Sequence, residues 1–258
     1  MKKNHGFTRL EMFVLLVVCV LGFALVWPMI AGSSSRRHSR HMQNSTHLRG
    51  IHSGMVLYAQ GNKDFFPGLT SDGSEARSAL PASAGTVGTT STSGYDVNYR
   101  LTILLRGSYL SPEYIRSYNE TEPKQAINWG DNLTTSHFSF AMLRISDSNA
   151  KGRRDEWRAT NNSRAAVASD RNLGSGTSDK AFSNHTTLGA GWRGSVVYND
   201  NHAVFETSSL VKTEYGVHEK DHSIDLDDLF ADDADKQGQH GNDAAMVYQN
   251  DHTYVNQK

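Results

Sequence analysis

The sequence predicts an α+β protein: a long N-terminal helix, apolar at first and amphipathic afterwards, followed by a polar head of short helices and strands. Three observations point there. Met12 to Gly32 runs without a charged residue. Leu48, Ile51, Met55 and Tyr58 then recur at helical steps, which puts them on one face. Finally, Val196, Val197 and Tyr198, the segment Asn199-Asp200-Asn201, and Ala203, Val204 and Phe205 read as two strands joined by a tight turn.

At about 1.5 Å per helical residue, the apolar run approaches the roughly 30 Å of a hydrocarbon core. It is a poor cleaved secretory signal, because Met29 stands where a small residue is wanted before Ala31. It is also a poor lipoprotein signal, because Val18 precedes Cys19. Lys2, Lys3 and Arg9 lie before the run and Arg36, Arg37 and Arg40 after it, so basic residues choose no orientation.

Composition excludes little else. With 26 basic and 27 acidic residues among 258, the chain carries no overall basic field, and no nucleic-acid partner is expected. Cys19 is the single cysteine, so no intramolecular disulfide forms.

Residues 1–11, MKKNHGFTRLE, distinguish the run from an ordinary anchor. A short basic leader ends in Gly6; Phe7-Thr8-Arg9-Leu10-Glu11 follows, then the apolar residues, with Pro28 near their end. This resembles the N-terminus of type IV pilins and type II secretion pseudopilins. The resemblance implies a pilin-like fold, with the long helix packed on an antiparallel β-sheet head. It implies a leader over residues 1–6, a transmembrane and assembly half over 7–32, an amphipathic half over 33–60 and a head over 61–258. A prepilin peptidase would cut between Gly6 and Phe7 and methylate the new amine of Phe7. Glu11 and Pro28 would then be mature residues five and twenty-two, both assembly positions. A carboxylate beside hydrocarbon is costly without a partner; in this family the partner is the free N-terminal amine of a neighbouring subunit. Arg9 departs from the pattern. It either snorkels to the headgroups or pairs with Glu11 in its own chain.

Two further stretches resemble a subgroup of these proteins frequent in planctomycetes. Leu48, Arg49, Ile51, Tyr58, Asn62, Phe66 and Pro67 match the segment ending the helix, although the usual cysteine and paired asparagines upstream are not evident. Asp170-Arg171-Asn172, Ser183, His185, Asp200 and His202 match a C-terminal signature. Asn201 replaces the usual glycine after Asp200, and the spacer between His185 and Asp200 is longer than in the subgroup.

In the head, 81–96 reads as a Ser/Thr/Gly-rich loop. A short helix is expected to end near Gly107, and another to begin with Ser111 as cap and Pro112 in its first turn. Residues 137–145 read as a strand, 165–172 as a strand followed by a turn, and the segment from Ala244 as a closing strand.

Candidate site residues have structural readings beside chemical ones. His185, Asp200 and His202 are of the right types for acid–base or metal chemistry, but Asp-x-His after a strand also suits a hydrogen-bonded turn. No strand–Ser–helix elbow surrounds Ser183, which argues against a Ser/His/Asp hydrolase. His38 and His41, at helical spacing, read as solvated polar-face residues. Asp225, Asp227 and Asp228 are weak calcium candidates, since the central glycine and terminal glutamate of an EF-hand are missing. No other cofactor is expected.

The function expected is structural rather than enzymatic: a subunit assembled into, or priming, a type II secretion pseudopilus or a type IV pilus-like filament. Its partners would be prepilin peptidase, other pilin-like subunits and the inner-membrane assembly machinery. The expected location is the inner membrane, crossed once with the head in the periplasm, or a cell-surface filament. The first rival is a membrane-anchored envelope module that binds glycan, cargo or a surface partner through Trp129, Trp157 and Trp192. The second is an anchored periplasmic hydrolase, which requires His185 and Asp200 to converge.

Overall fold

The computed structural model describes residues 9–31, 33–120, 123–146, 151–174, 180–187, 189–215, 226–232 and 241–249; the side chains of 25–41 lie outside that description. Among the described residues there are four α-helices: α1 (Arg9–Ala31), α2 (Ser33–Gln60), α3 (Val97–Arg106) and α4 (Lys151–Glu156). A 3-10 turn spans Pro112–Ile115. The strands are β1 (Phe140–Leu143), β2 (Ala166–Asp170), β3 (Gly194–Tyr198), β4 (Ala203–Glu206), β5 (Leu210–Val211), β6 (Asp227–Asp228) and β7 (Met246–Val247). The chain divides into two units, Met1–Arg40 and His41–Lys258.

The first unit corrects the expected class and location. Among the described residues no helix is long and apolar enough to cross a membrane. The helix that holds the apolar run is α1. It opens on Arg9 and Glu11. The expected transmembrane half, the single pass through the inner membrane and the periplasmic placement of the head are therefore overturned. The described residues show no single long N-terminal helix: α1 ends at Ala31 and α2 begins at Ser33.

In the second unit, five antiparallel strands pair in the order β4-β3-β2-β1-β7, and β5 pairs with β6 in a separate ribbon. The three central strands β1, β2 and β3 are buried along their whole length, which suits their small and branched residues. The hairpin register sets Val196 opposite Val204 and Val197 opposite Ala203. Its turn places Asn201 at φ 66°, the left-handed conformation that asparagine tolerates.

The apolar stripe of α2 enters one core with both the sheet and α3. Leu48, Ile51 and Met55 are fully buried in a cluster that includes Leu101, Leu104, Met142, Val167 and Val196. Full burial of such side chains is worth about 1.5–3 kcal/mol each. The helix stops at Gln60, just before Gly61 and Asn62, and Asn62 then folds the chain back by donating to the carbonyls of Phe65 and Leu69. α3 ends at Arg106, where the Gly107 amide caps the carbonyl of Ile103.

Beyond α2, Phe66 meets Trp157 edge to face at 5.5 Å, and the Trp157 indole N–H donates to the Pro67 carbonyl at 2.9 Å. Arg100, also buried, donates to the backbone carbonyls of Gly94, Tyr95 and Leu143. These bonds hold the long loop before α3 against the sheet.

Candidate functional site

The match Asp170-Arg171-Asn172 stands at the end of β2, where a strand buried on both faces runs into a loop. Asp170 is buried and its carboxylate gathers donors from three places. Oδ1 accepts from Asn44 Nδ2 on α2 at 2.7 Å. Oδ2 accepts from the backbone N–H of Ser195 on β3 at 2.6 Å and lies 3.2 Å from His185 Nε2. Asn44 is drawn into the same cluster: its Nδ2 lies 3.3 Å from His185 Nε2, and its Oδ1 accepts from Ser117 Oγ at 2.8 Å.

His185 is held from two more sides. Its ring packs edge-on against Phe205 of β4, with centroids 5.2 Å apart, and its backbone N–H donates to Ser183 Oγ at 3.1 Å. Ser183 Oγ in turn donates to the Arg193 carbonyl. Its hydroxyl thus shapes the turn carrying His185, and its residue is 1% exposed. A nucleophile needs access to substrate; Ser183 is enclosed within a hydrogen-bonded turn.

The neighbouring signature residues have comparable roles. Arg171 makes a two-pronged ion pair with Glu120, Nε to Oε1 at 3.1 Å and Nη2 to Oε2 at 2.6 Å, and its guanidinium lies 4.7 Å from the Tyr248 ring centroid. Asn172 Oδ1 accepts from the amides of Gly174 and Phe182. Bonds of this kind, inside a low dielectric, stabilise one arrangement of loops and penalise others.

Asp200 and His202 take a different place, at the turn between β3 and β4. Asp200 Oδ1 accepts from the His202 backbone N–H at 3.1 Å and pairs with His202 Nδ1. The His202 ring stacks flat on Tyr198, centroids 4.4 Å apart. Burial pushes the Asp200 pKa up, but the bonds from His202 outweigh it and hold the carboxyl below its usual range. So the histidine His185 is joined to Asp170, whereas Asp200 is joined to His202.

The remaining candidates distribute as follows. Glu11 lies in the first turn of α1. Pro28 falls within α1 with its side chain outside the described residues, and Gly6 and Phe7 lie outside them altogether. Asp225 and the side chains of His38 and His41 are also outside. Asp227 accepts from Thr213 Oγ1 and, at 2.6 Å, from the Ala244 amide; Asp228 accepts from the Phe230 amide at 3.2 Å. Among the described residues no group of three or more His, Cys, Asp or Glu side chains is placed to hold a metal ion. Trp157 and Trp192 are buried, with their indole N–H groups on the carbonyls of Pro67 and Arg171, while Trp129 is 56% exposed.

Asn44 is the functional residue that sequence reasoning missed. Its signal was available, since Asn44, Leu48, Ile51 and Met55 continue one helical face by steps of four, three and four. A polar residue at the head of a buried stripe requires a buried partner.

Comparison of the chain with family models, curated proteins and solved structures finds no match.

Proposed function

We propose that this chain is a structural subunit of the pilin or pseudopilin kind. It is cut by prepilin peptidase between Gly6 and Phe7 and assembled with other such subunits into, or as the primer of, a type II secretion pseudopilus or type IV pilus-like filament. The observation that carries the reading is the surface of α1. Leu10, Met12, Phe13, Leu16, Val18, Leu21 and Phe23 each stand more than half exposed, in series, directly after the cleavage motif. A contiguous apolar surface of this kind marks an interaction site. Glu11 sits at its start, in the first turn of α1, where the resemblance places the contact with the processed amine of a neighbouring Phe7.

The buried Asn44–Asp170–His185 cluster supports a structural role for the head signature. Each group in it is spent on joining α2, β2 and β3, and the residues that a hydrolase would use are enclosed.

Mass spectrometry of the N-terminus, on protein recovered from cells containing prepilin peptidase, tests the reading. A chain beginning at N-methylated Phe7 is expected. An intact Met1, or a terminus near Gly32, overturns it.

A further inference from the structure

Among the described side chains of α2, His52 is the most completely enclosed titratable one, 1% exposed, and neither ring nitrogen has a hydrogen-bond partner. Buried polar atoms are paired in the great majority of cases, so an orphaned imidazole requires an account. The turn between β3 and β4 supplies part of its surroundings. The side chains of Asn199 and Asn201 face the ring, and the Asp200 carboxylate lies near enough to act on its charge. Phe66 closes another side edge-on, with centroids 5.7 Å apart. Asn199 Oδ1 and Asn201 Oδ1 are themselves unpaired. The three side chains adjoin, therefore, without closing a hydrogen bond of good geometry.

Neither asparagine is free to turn its amide toward the ring. Asn199 Nδ2 donates to the carbonyls of Glu156 and Arg158 at 2.7 and 2.9 Å and to Thr160 Oγ1 at 2.9 Å. Asn201 Nδ2 donates to Ser53 Oγ at 3.1 Å, the residue after His52. Both carboxamides thus keep their oxygens as the spare groups. A neutral imidazole has one N–H donor and one lone pair, so it satisfies at most one of two such oxygens. A second N–H comes only with a proton, and that proton brings a charge into a buried site.

Asp200, on the turn, favours the protonated ring, but it is already held by His202. Glu156, at the end of α4, lies behind Asn199, with Oε2 at 3.4 Å from Asn199 Nδ2. Phe66 contributes no charge. We propose that His52 is an acid-sensitive catch, whose neutral ring keeps the β3–β4 turn seated on α2 and whose protonation unseats it.

Burial is the largest influence on His52 and lowers its pKa from the ordinary 6.5; the side chains of Asn199, Asn201 and Asp200 oppose it without prevailing. The seated form therefore binds a proton less readily than the unseated form. Acid favours the form that binds more protons, so seating is fully favoured above about pH 6.5 and weakens as the pH falls below it. The Asn201–Ser53 bond is the first to be lost, because it lies next to the ring on the same turn of α2. The proposal does not depend on how the chain is processed or assembled.

The test is an NMR titration of the histidine ring signals of the full chain from about pH 8 to about pH 5, with hydrogen-exchange protection of the Asn199–Phe205 amides followed alongside. His52 is expected to stay neutral to lower pH than a free histidine, and protection in the turn to fall as it protonates. In His52→Gln, which cannot take up a proton, that fall is expected to disappear. A ring that titrates at or above 6.5, or a His52→Gln protein with the same pH dependence of protection, overturns the proposal. Should His52→Gln fail to fold, the wild-type ring titration and the matching midpoint of amide protection decide it alone.

Discussion

Asn44 on α2 donates a 2.7 Å hydrogen bond to Asp170 at the end of β2, joining two residues 126 positions apart. The bond fixes the helix along its axis relative to the sheet, which apolar packing alone does less sharply. Asn44→Ala leaves the Asp170 carboxylate short of a donor and is expected to cost about 1–3 kcal/mol, read as a lower denaturation midpoint at unchanged slope.

Asp170→Ala should cost more than Asn44→Ala, since it strands Asn44, His185 and the Ser195 amide together. The effects of Asn44→Ala and Asp170→Ala should fall short of their sum in the double variant, as expected for one shared network. Additive costs in a double-mutant cycle would show that the two side chains act separately.

On the proposed function, Glu11→Ala separates assembly from processing. The cut between Gly6 and Phe7 is expected to persist, while the fraction of chain recovered in sedimenting filaments falls. An unchanged assembled fraction removes the role given to the carboxylate.

Arg153 is wholly buried between Asp232 and Asp243, at 3.2 and 3.1 Å. Removing one member of a buried ionic cluster leaves uncompensated charge. Arg153→Ala is expected to lose about 3–5 kcal/mol by chemical denaturation. Arg153→Lys, without the planar fork, should recover only part of it.

Gly68 adopts φ 98°, and a Cβ there would run into the Gly94 carbonyl. Gly68→Ala combines left-handed strain with that collision. It is expected to destabilise by about 1–3 kcal/mol, visible as a lower melting temperature.

His47 offers a second, separable pH effect. Burial lowers its pKa, against the bond between Nδ1 and the Arg116 carbonyl at 2.8 Å. A lowered folded pKa means that stability present at neutral pH is lost as the pH falls below about 6.5. His47→Gln should therefore flatten the acid limb of the stability profile, measured by denaturation at several pH values.

Much of the local structure could be read in the sequence because it depends on neighbours along the chain. The stripe Leu48, Ile51, Met55 lies on α2, which ends at Gln60; the hairpin around Asn201 forms with its strands at 194–198 and 203–206. Short strands such as β5 and β6 were not legible, since two residues carry no period and their pairing is made across a distance. The apolar run misled in another way. Hydropathy counts residues, whereas spanning a bilayer requires a sufficiently long apolar helix, and among the described residues none qualifies.

The sequence by itself determined the periodic elements and the turn chemistry, which rest on short-range spacing and residue type. Only the tertiary structure decided which partner each buried polar group would take. His185 and Asp200 belong to one sequence pattern, but the pattern left their geometry open: His185 meets Asp170, while Asp200 turns to His202. The reason is physical: a buried carboxylate pairs with whatever donors the folded chain brings within about 3 Å. Antiparallel pairing of β2 with β3 brings the Ser195 amide to Asp170, and α2 adds Asn44 from far upstream.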